Sequence, residues 1–184
     1  MLFVDPGIGV TGYAIYRHTA LKGRDNRTLL SSGIVEPLKG DKEILVRSQS
    51  IAQQLHFIAG NNSIHKFYVE QPPQTVYGGV RLTKNAIIAR AQSVFKTFAV
   101  TYNVIGLLGK SYRCGVILPV QWEPSKKQRG GMAIKAWSLQ NANSIIEKIG
   151  KPKVLATKKD ENEADAISIG SVVLDKLESG EWKW

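Results

Sequence analysis

Three stretches of strand character come before any helix in this chain, and that opening limits the folds open to it. Leu2–Val4 is a short apolar run ending at Asp5, and Pro6-Gly7 then turns the chain. Thr11–Tyr16 alternates, and Leu29–Val35 follows the polar loop Lys22–Arg27. Apolar strands joined by short turns predict an antiparallel meander. A doubly wound nucleotide fold would begin strand–helix–strand, so this opening argues against one. The length, 184 residues, sets one domain spanning 1–184 with a short tail at 179–184. With 43% apolar and 22% charged residues, the chain is not disordered, collagen-like or a coiled coil.

After the meander the periodicity changes. Asp41–Ala59 has apolar residues at 44, 51, 55 and 58, a helical spacing stopped by Gly60-Asn61. His65–Val69 reads as a strand reaching Glu70, and Gln71-Pro72-Pro73 ends it. Leu82–Val100 is helical, with Ile87, Ala91, Val94, Phe95 and Phe98 on one side. Arg113–Val120 predicts a strand, Ile134–Ile149 a helix stopped by Gly150, and Ala164–Leu177 a last helix. The class is α/β: one mixed five-stranded sheet, the meander plus two further strands, flanked by helices. The lone Cys114 has no internal disulfide partner, and His18, His56 and His65 are too scattered for a zinc site. A reducing, cytoplasmic setting is expected. No run of about 18 apolar residues predicts a membrane span. An acid at position 5 comes too early for a signal peptide.

Charge points to a partner. The formal net charge is +10. Between Lys126 and Lys159 lie nine basic residues against a single acid, Glu147. A one-sided block of this kind fits a phosphate-contacting surface, although a basic protein kept in solution by its charge shares the composition. No small-molecule cofactor is expected: Gly7-x-Gly9-x-x-Gly12 resembles a dinucleotide fingerprint, but a strand follows it where the fingerprint needs a helix.

Three acids stand at element ends. Asp5 closes the first strand, Glu70 closes the fourth, and Asp165 opens the last helix. Such positions can converge at one rim of a sheet. Each has a plainer reading: Asp5 before Pro-Gly as a turn former, Glu70 as a rim charge, Asp165 as a helix-dipole partner. Together they fit a hard divalent cation, which binds oxygen ligands and can activate water against a phosphodiester.

These residues resemble a known family. Asp5-Pro6-Gly7-Ile8-Gly9-Val10-Thr11-Gly12-Tyr13-Ala14 looks like the first motif of RuvC-type Holliday junction resolvases. Val69-Glu70-Gln71 resembles the second. Glu163-Ala164-Asp165-Ala166-Ile167-Ser168-Ile169-Gly170 resembles the last. The order and spacing match across nearly the whole chain. Pro119-Val120-Gln121-Trp122 resembles a segment of the phage members, which implies a phage origin and a host cytoplasm.

The resemblance implies an RNase H-like fold and a homodimer that resolves four-way junctions in DNA recombination and repair by symmetric nicks. It implies Mg²⁺, with Mn²⁺ as a substitute, at two ions per site held by Asp5, Glu70, Asn162 and Asp165. The family has an acid where this chain has Asn162. Three readings stay open there: a branch that tolerates the amide, a charge supplied by Glu161 or Asp160, or an Asp replaced by Asn. Lys127, with Lys126 next, fits a family lysine that helps at the scissile phosphate. DNA contacts are expected from Gln71, Tyr77, Arg81, Lys84, Lys126, Lys127, Arg129, Lys158 and Lys159, with Lys151 and Lys153 also tracking the arms. Tyr77 reads equally as an aromatic that stacks on an unpaired base or as an exposed loop aromatic, and Trp122 as a core anchor rather than a base contact. The helix Leu82–Val100 is the expected dimer surface. Rivals are a flap or fork nuclease, a junction-binding module without cleavage, and a sugar-kinase-like phosphotransferase, for which the chain is too short.

Overall fold

The computed structural model describes residues 1–19, 27–40, 42–72 and 84–182, with Lys84 described by its backbone alone. Strands β1 (Leu2–Asp5), β2 (Thr11–His18) and β3 (Arg27–Val35) form the antiparallel meander. Strands β4 (Lys66–Glu70) and β5 (Arg113–Ile117) join it in parallel, giving the order β3-β2-β1-β4-β5. The helices are α1 (Ile44–Asn61), α2 (Lys84–Leu108), α3 (Pro119–Trp122), α4 (Ile134–Lys148) and α5 (Glu161–Glu178). The expected mixed sheet of five strands flanked by helices is the one that forms.

Strand alternation divides the core between the two sheet faces. Leu2, Val4, Ile15, Phe67 and Val69 pack with α1 and the second half of α2. Phe3, Ala14, Tyr16 and Tyr68 pack with α4 and α5. Phe3 stacks on Tyr68 with ring centroids 5.2 Å apart and meets Tyr16 edge-on at 5.7 Å. Each such pair adds about 0.5–1.5 kcal/mol beyond area burial. The Tyr16 hydroxyl donates to the Ile167 carbonyl at 2.9 Å, which satisfies a buried polar group and ties β2 to the middle of α5. Of the tail, Trp182 packs against this core, with the Lys176 ammonium 5.6 Å from its ring centre.

Several expected boundaries move, three of them for a visible local reason. Helix α2 runs past Val100 to Leu108, because buried Val104 and Leu108 continue its inward stripe. Strand β5 stops at Ile117 rather than Val120. Pro119 opens α3, and the Leu118 N–H donates to Gln121 Oε1 at 2.7 Å. Helix α5 starts at Glu161, so Asp165 sits inside its second turn rather than opening it. The cause is a local cap. Asp160 Oδ2 accepts from Thr157 N–H at 2.8 Å, Thr157 Oγ1 at 2.9 Å and Ala156 N–H at 3.0 Å, winding a 3₁₀ turn at Lys158–Asp160 that leads into the helix. No helix among the described residues is long and apolar enough to cross a membrane.

Candidate active site

The sheet itself brings two of the three acids together. β1 and β4 run parallel with Val4 opposite Val69, so Asp5 and Glu70 end adjacent strands on the same rim. The two-residue period places both on the face covered by α5, with Phe3 and Tyr68. Asp165, on α5, lies within electrostatic reach of both. That helix is buried without a break from Glu163 to Gly170, wedged between the sheet and α4.

Close approach of α5 to the hairpin depends on glycine. Gly12 pairs with Asp5 across β1 and β2. A Cβ at Gly12 would lie 1.8 Å from the Asn162 carbonyl oxygen and 2.6 Å from the Glu163 nitrogen. Only a residue without a side chain allows that spacing.

The electrostatics are those of crowded carboxylates. Asp5 is 8% exposed and Asp165 is 4% exposed. Burial first, then the charges of Glu70 and Asp165, push the Asp5 pKa well above its ordinary value. A hydrogen bond between the two side chains adds to the rise of Asp5 and works against that of Glu70. Glu70 is raised as well, chiefly by burial, against the lowering effect of the Trp122 indole, whose N–H donates to Glu70 Oε1 at 2.7 Å. Lys135, on the first turn of α4, pairs with Asp165 Oδ2. Burial works against its ammonium, but the Asp165 charge and hydrogen bond outweigh it and raise the lysine pKa. The other oxygen, Asp165 Oδ1, is buried with no hydrogen-bond partner among the described residues.

Among the described residues no three His, Cys, Asp or Glu side chains form a ready-made metal cage. The donor set nevertheless suits a hard divalent cation: it is all oxygen, mutually repelling, and includes one orphaned buried oxygen.

Other expected residues fall in several places. Asn162 turns its amide N–H to the Val10 carbonyl. Gln71 follows β4, its backbone N–H donating to the Ile117 carbonyl at 2.8 Å. Lys126 and Lys127 are exposed on the loop between α3 and α4. The lysine drawn onto the carboxylates is Lys135. Arg129 donates from Nε to the Pro124 carbonyl at 3.2 Å and from its guanidinium to the Met132 carbonyl, closing its own loop. Lys158 opens the 3₁₀ turn, and Lys159 reaches Glu36 at 3.1 Å. Lys151 donates to the Leu30 carbonyl at 2.8 Å, and Lys153 reaches both oxygens of buried Glu163 at 2.6 Å. Tyr77 and Arg81 lie outside the described residues, and so does the side chain of Lys84.

Sequence reasoning missed three participants. Lys135 counts there only as part of the basic block, and Trp122 only as a core anchor. Glu123, beside Trp122, is raised first by burial and then by the Asp165 charge, and its own charge reaches Glu70. The nearest sequence signal was the Pro119–Trp122 segment itself.

No protein-family model matches the chain, and no curated protein matches it. Solved structures do. Thermus thermophilus RuvC is 17% identical with a TM-score of 0.64, over 98% of this chain and 97% of that one. T. thermophilus RuvC in complex with a Holliday junction substrate is 16% identical with a TM-score of 0.65, over 97% and 94%. Fowlpox virus resolvase, solved with Holliday junction DNA, is 12% identical with a TM-score of 0.50, over 94% and 98%. A likeness at these identities is a likeness of architecture, and the chain has the RuvC-type, RNase H-like fold.

Proposed function

We propose that this protein is a metal-dependent, structure-specific endonuclease that resolves Holliday junctions or closely related branched DNA. One observation carries the reading: two strand-end carboxylates and one from α5 lie within electrostatic reach of one another, the third paired with a lysine, in a chain of net charge +10. The fold is that of proteins solved on Holliday junctions, which supports the choice of substrate.

Asp5, Glu70 and Asp165 would hold Mg²⁺ or Mn²⁺, which supplies a water activated for attack and stabilises the leaving oxygen. Water adds to phosphorus, the bond to the 3′ oxygen breaks, and that oxygen takes a proton; the products are a 5′-phosphate and a 3′-hydroxyl. Lys135 is half exposed, so its ammonium can meet a phosphate oxygen while it leans on Asp165. Trp122 fixes one oxygen of Glu70 and leaves the other for the site. Lys126 and Lys127 take backbone phosphates, which position DNA without reading its sequence.

The protein acts as a homodimer through α2. Its first half, from 85 to 99, holds no buried residue, and Ile88, Phe95 and Tyr102 are exposed at seven-residue intervals. Phe98 stacks on Tyr102 at 5.9 Å beside them. An apolar helix side of this kind needs a cover, and a second copy supplies one with the two-fold symmetry of a four-way junction.

The test is Mg²⁺-dependent cutting of a synthetic four-way junction beside flap and fork substrates, with Asp5→Asn as the control. Paired nicks in the junction, absent in the control, are expected. Preferred cutting of the flap or fork would reassign the substrate. Tight junction binding without nicks in Mn²⁺ would favour a binding module.

A further inference from the structure

At position 162 the family pattern calls for a fourth acid, and the sequence reading makes Asn162 a ligand. In the structure the nitrogen of its amide is engaged by the hairpin. Nδ2 donates to the Val10 carbonyl at 2.7 Å. A carbonyl only accepts, so the amide must turn its N–H there. Val10 precedes β2 in the hairpin that follows Asp5, and Asn162 lies nearly one helical turn before Asp165. The bond therefore links the two elements that carry these acids.

The surroundings are cut to fit this link. A Cβ at Gly7 would stand 2.9 Å from Asn162 Nδ2 and 2.3 Å from the Val10 oxygen. Gly12 makes room for the Asn162 backbone in the same way. An aspartate at 162 has nearly the same shape but no N–H. It would set a carboxylate oxygen against the Val10 oxygen, two acceptors with no proton between them.

We propose that Asn162 is a positioning residue, a latch between the Asp5 hairpin and the Asp165 helix, and not a cation ligand. The latch fixes the span between two of the three carboxylates. Its catalytic consequence rests on the metal-dependent reading above; its structural consequence does not.

The ligand and latch roles predict opposite effects for Asn162→Asp. A ligand would bind the cation more tightly with the added charge. A latch would lose its bond. The full-length Asn162→Asp and Asn162→Ala proteins would be compared with wild type by thermal melting in EDTA, by calorimetric titration with MnCl₂, and by single-turnover junction cutting. Both variants are expected to melt about 2–4 °C lower, the shift for losing one hydrogen bond in a chain of this size. Mn²⁺ affinity should stay within about threefold of wild type, and cutting should slow about tenfold with junction affinity unchanged. Unchanged melting, with about tenfold tighter Mn²⁺ binding in Asn162→Asp or about tenfold weaker binding in Asn162→Ala, would overturn the latch. If wild type neither bound Mn²⁺ nor cut, the metal reading would fall, and the melting comparison would still decide the latch. Should Asn162→Asp not fold, Asn162→Ala carries the same comparison.

Discussion

Trp122 and Glu70 are joined by a 2.7 Å hydrogen bond from a buried indole N–H to a carboxylate oxygen. The bond spans 52 residues and connects the helical turn after β5 to the end of β4. Trp137 backs the indole with ring centroids 6.4 Å apart. Trp122→Phe keeps most of the packing and removes the donor. Hydrogen bonds to charged groups contribute about 1.5–3 kcal/mol, so kcat should fall about 10–100-fold. The junction KM should stay near wild type, because the indole touches Glu70 rather than DNA. Steady-state cleavage kinetics check this split, and an effect on KM alone would refute it.

Lys135 and Lys127 should separate by kind of defect. Lys135→Ala removes the cation beside the carboxylates and is expected to slow single-turnover cutting about 100-fold or more. Lys127→Ala removes an exposed charge from a loop, so binding should weaken a few-fold with chemistry unaffected. Parallel binding and cleavage titrations on one junction distinguish the two defects. Equal cutting defects would place Lys127 at the reacting phosphate with Lys135.

Asp5 costs stability where it is ionised. Its folded pKa is raised from the ordinary 3.8, and that of Glu70 from 4.5, so the native state binds more protons than the unfolded chain above those values. The contribution of this pair therefore declines as pH rises from about 4 through the folded pKa values, and the full cost stands above them. In EDTA, Asp5→Asn is expected to raise the neutral-pH melting temperature by about 2–4 °C or more while abolishing cutting. The difference from wild type should shrink towards pH 4. Melting curves across pH check the sign, and a variant that melts lower at neutral pH would contradict it.

The outer side of α2 predicts a change of assembly. Phe95 is 64% exposed in the single chain. Phe95→Asp should leave the fold intact and convert a dimer to a monomer, as measured by light scattering on a sizing column. Paired junction nicks should become single ones. A wild-type protein that is monomeric at working concentration would remove this surface from the proposal.

Local pattern made the sheet legible, whereas the site depended on contacts between distant segments. The meander is visible because Leu2–Val4, Thr11–Tyr16 and Leu29–Val35 carry their own periodicity. Asp5 and Glu70 stand out as candidates because strand ends can be located from such runs. The start of α5 was misplaced because the Asp160 cap is built from three donors in the preceding turn, a geometry that apolar spacing does not encode. Lys135 was passed over because its pairing with Asp165 crosses 30 residues and depends on how α4 lies against α5. Trp122 reads as packing, and it is buried in the core; what a sequence does not show is the direction of its indole N–H.

The lysines that make the chain so basic are partly committed within the fold. Lys151 holds a strand carbonyl, Lys153 neutralises buried Glu163, and Lys159 answers Glu36. Any nucleic acid bound here would have to compete with these internal acceptors before those side chains could displace counterions from its backbone. The salt dependence of binding will therefore be shallower than a count of basic residues implies.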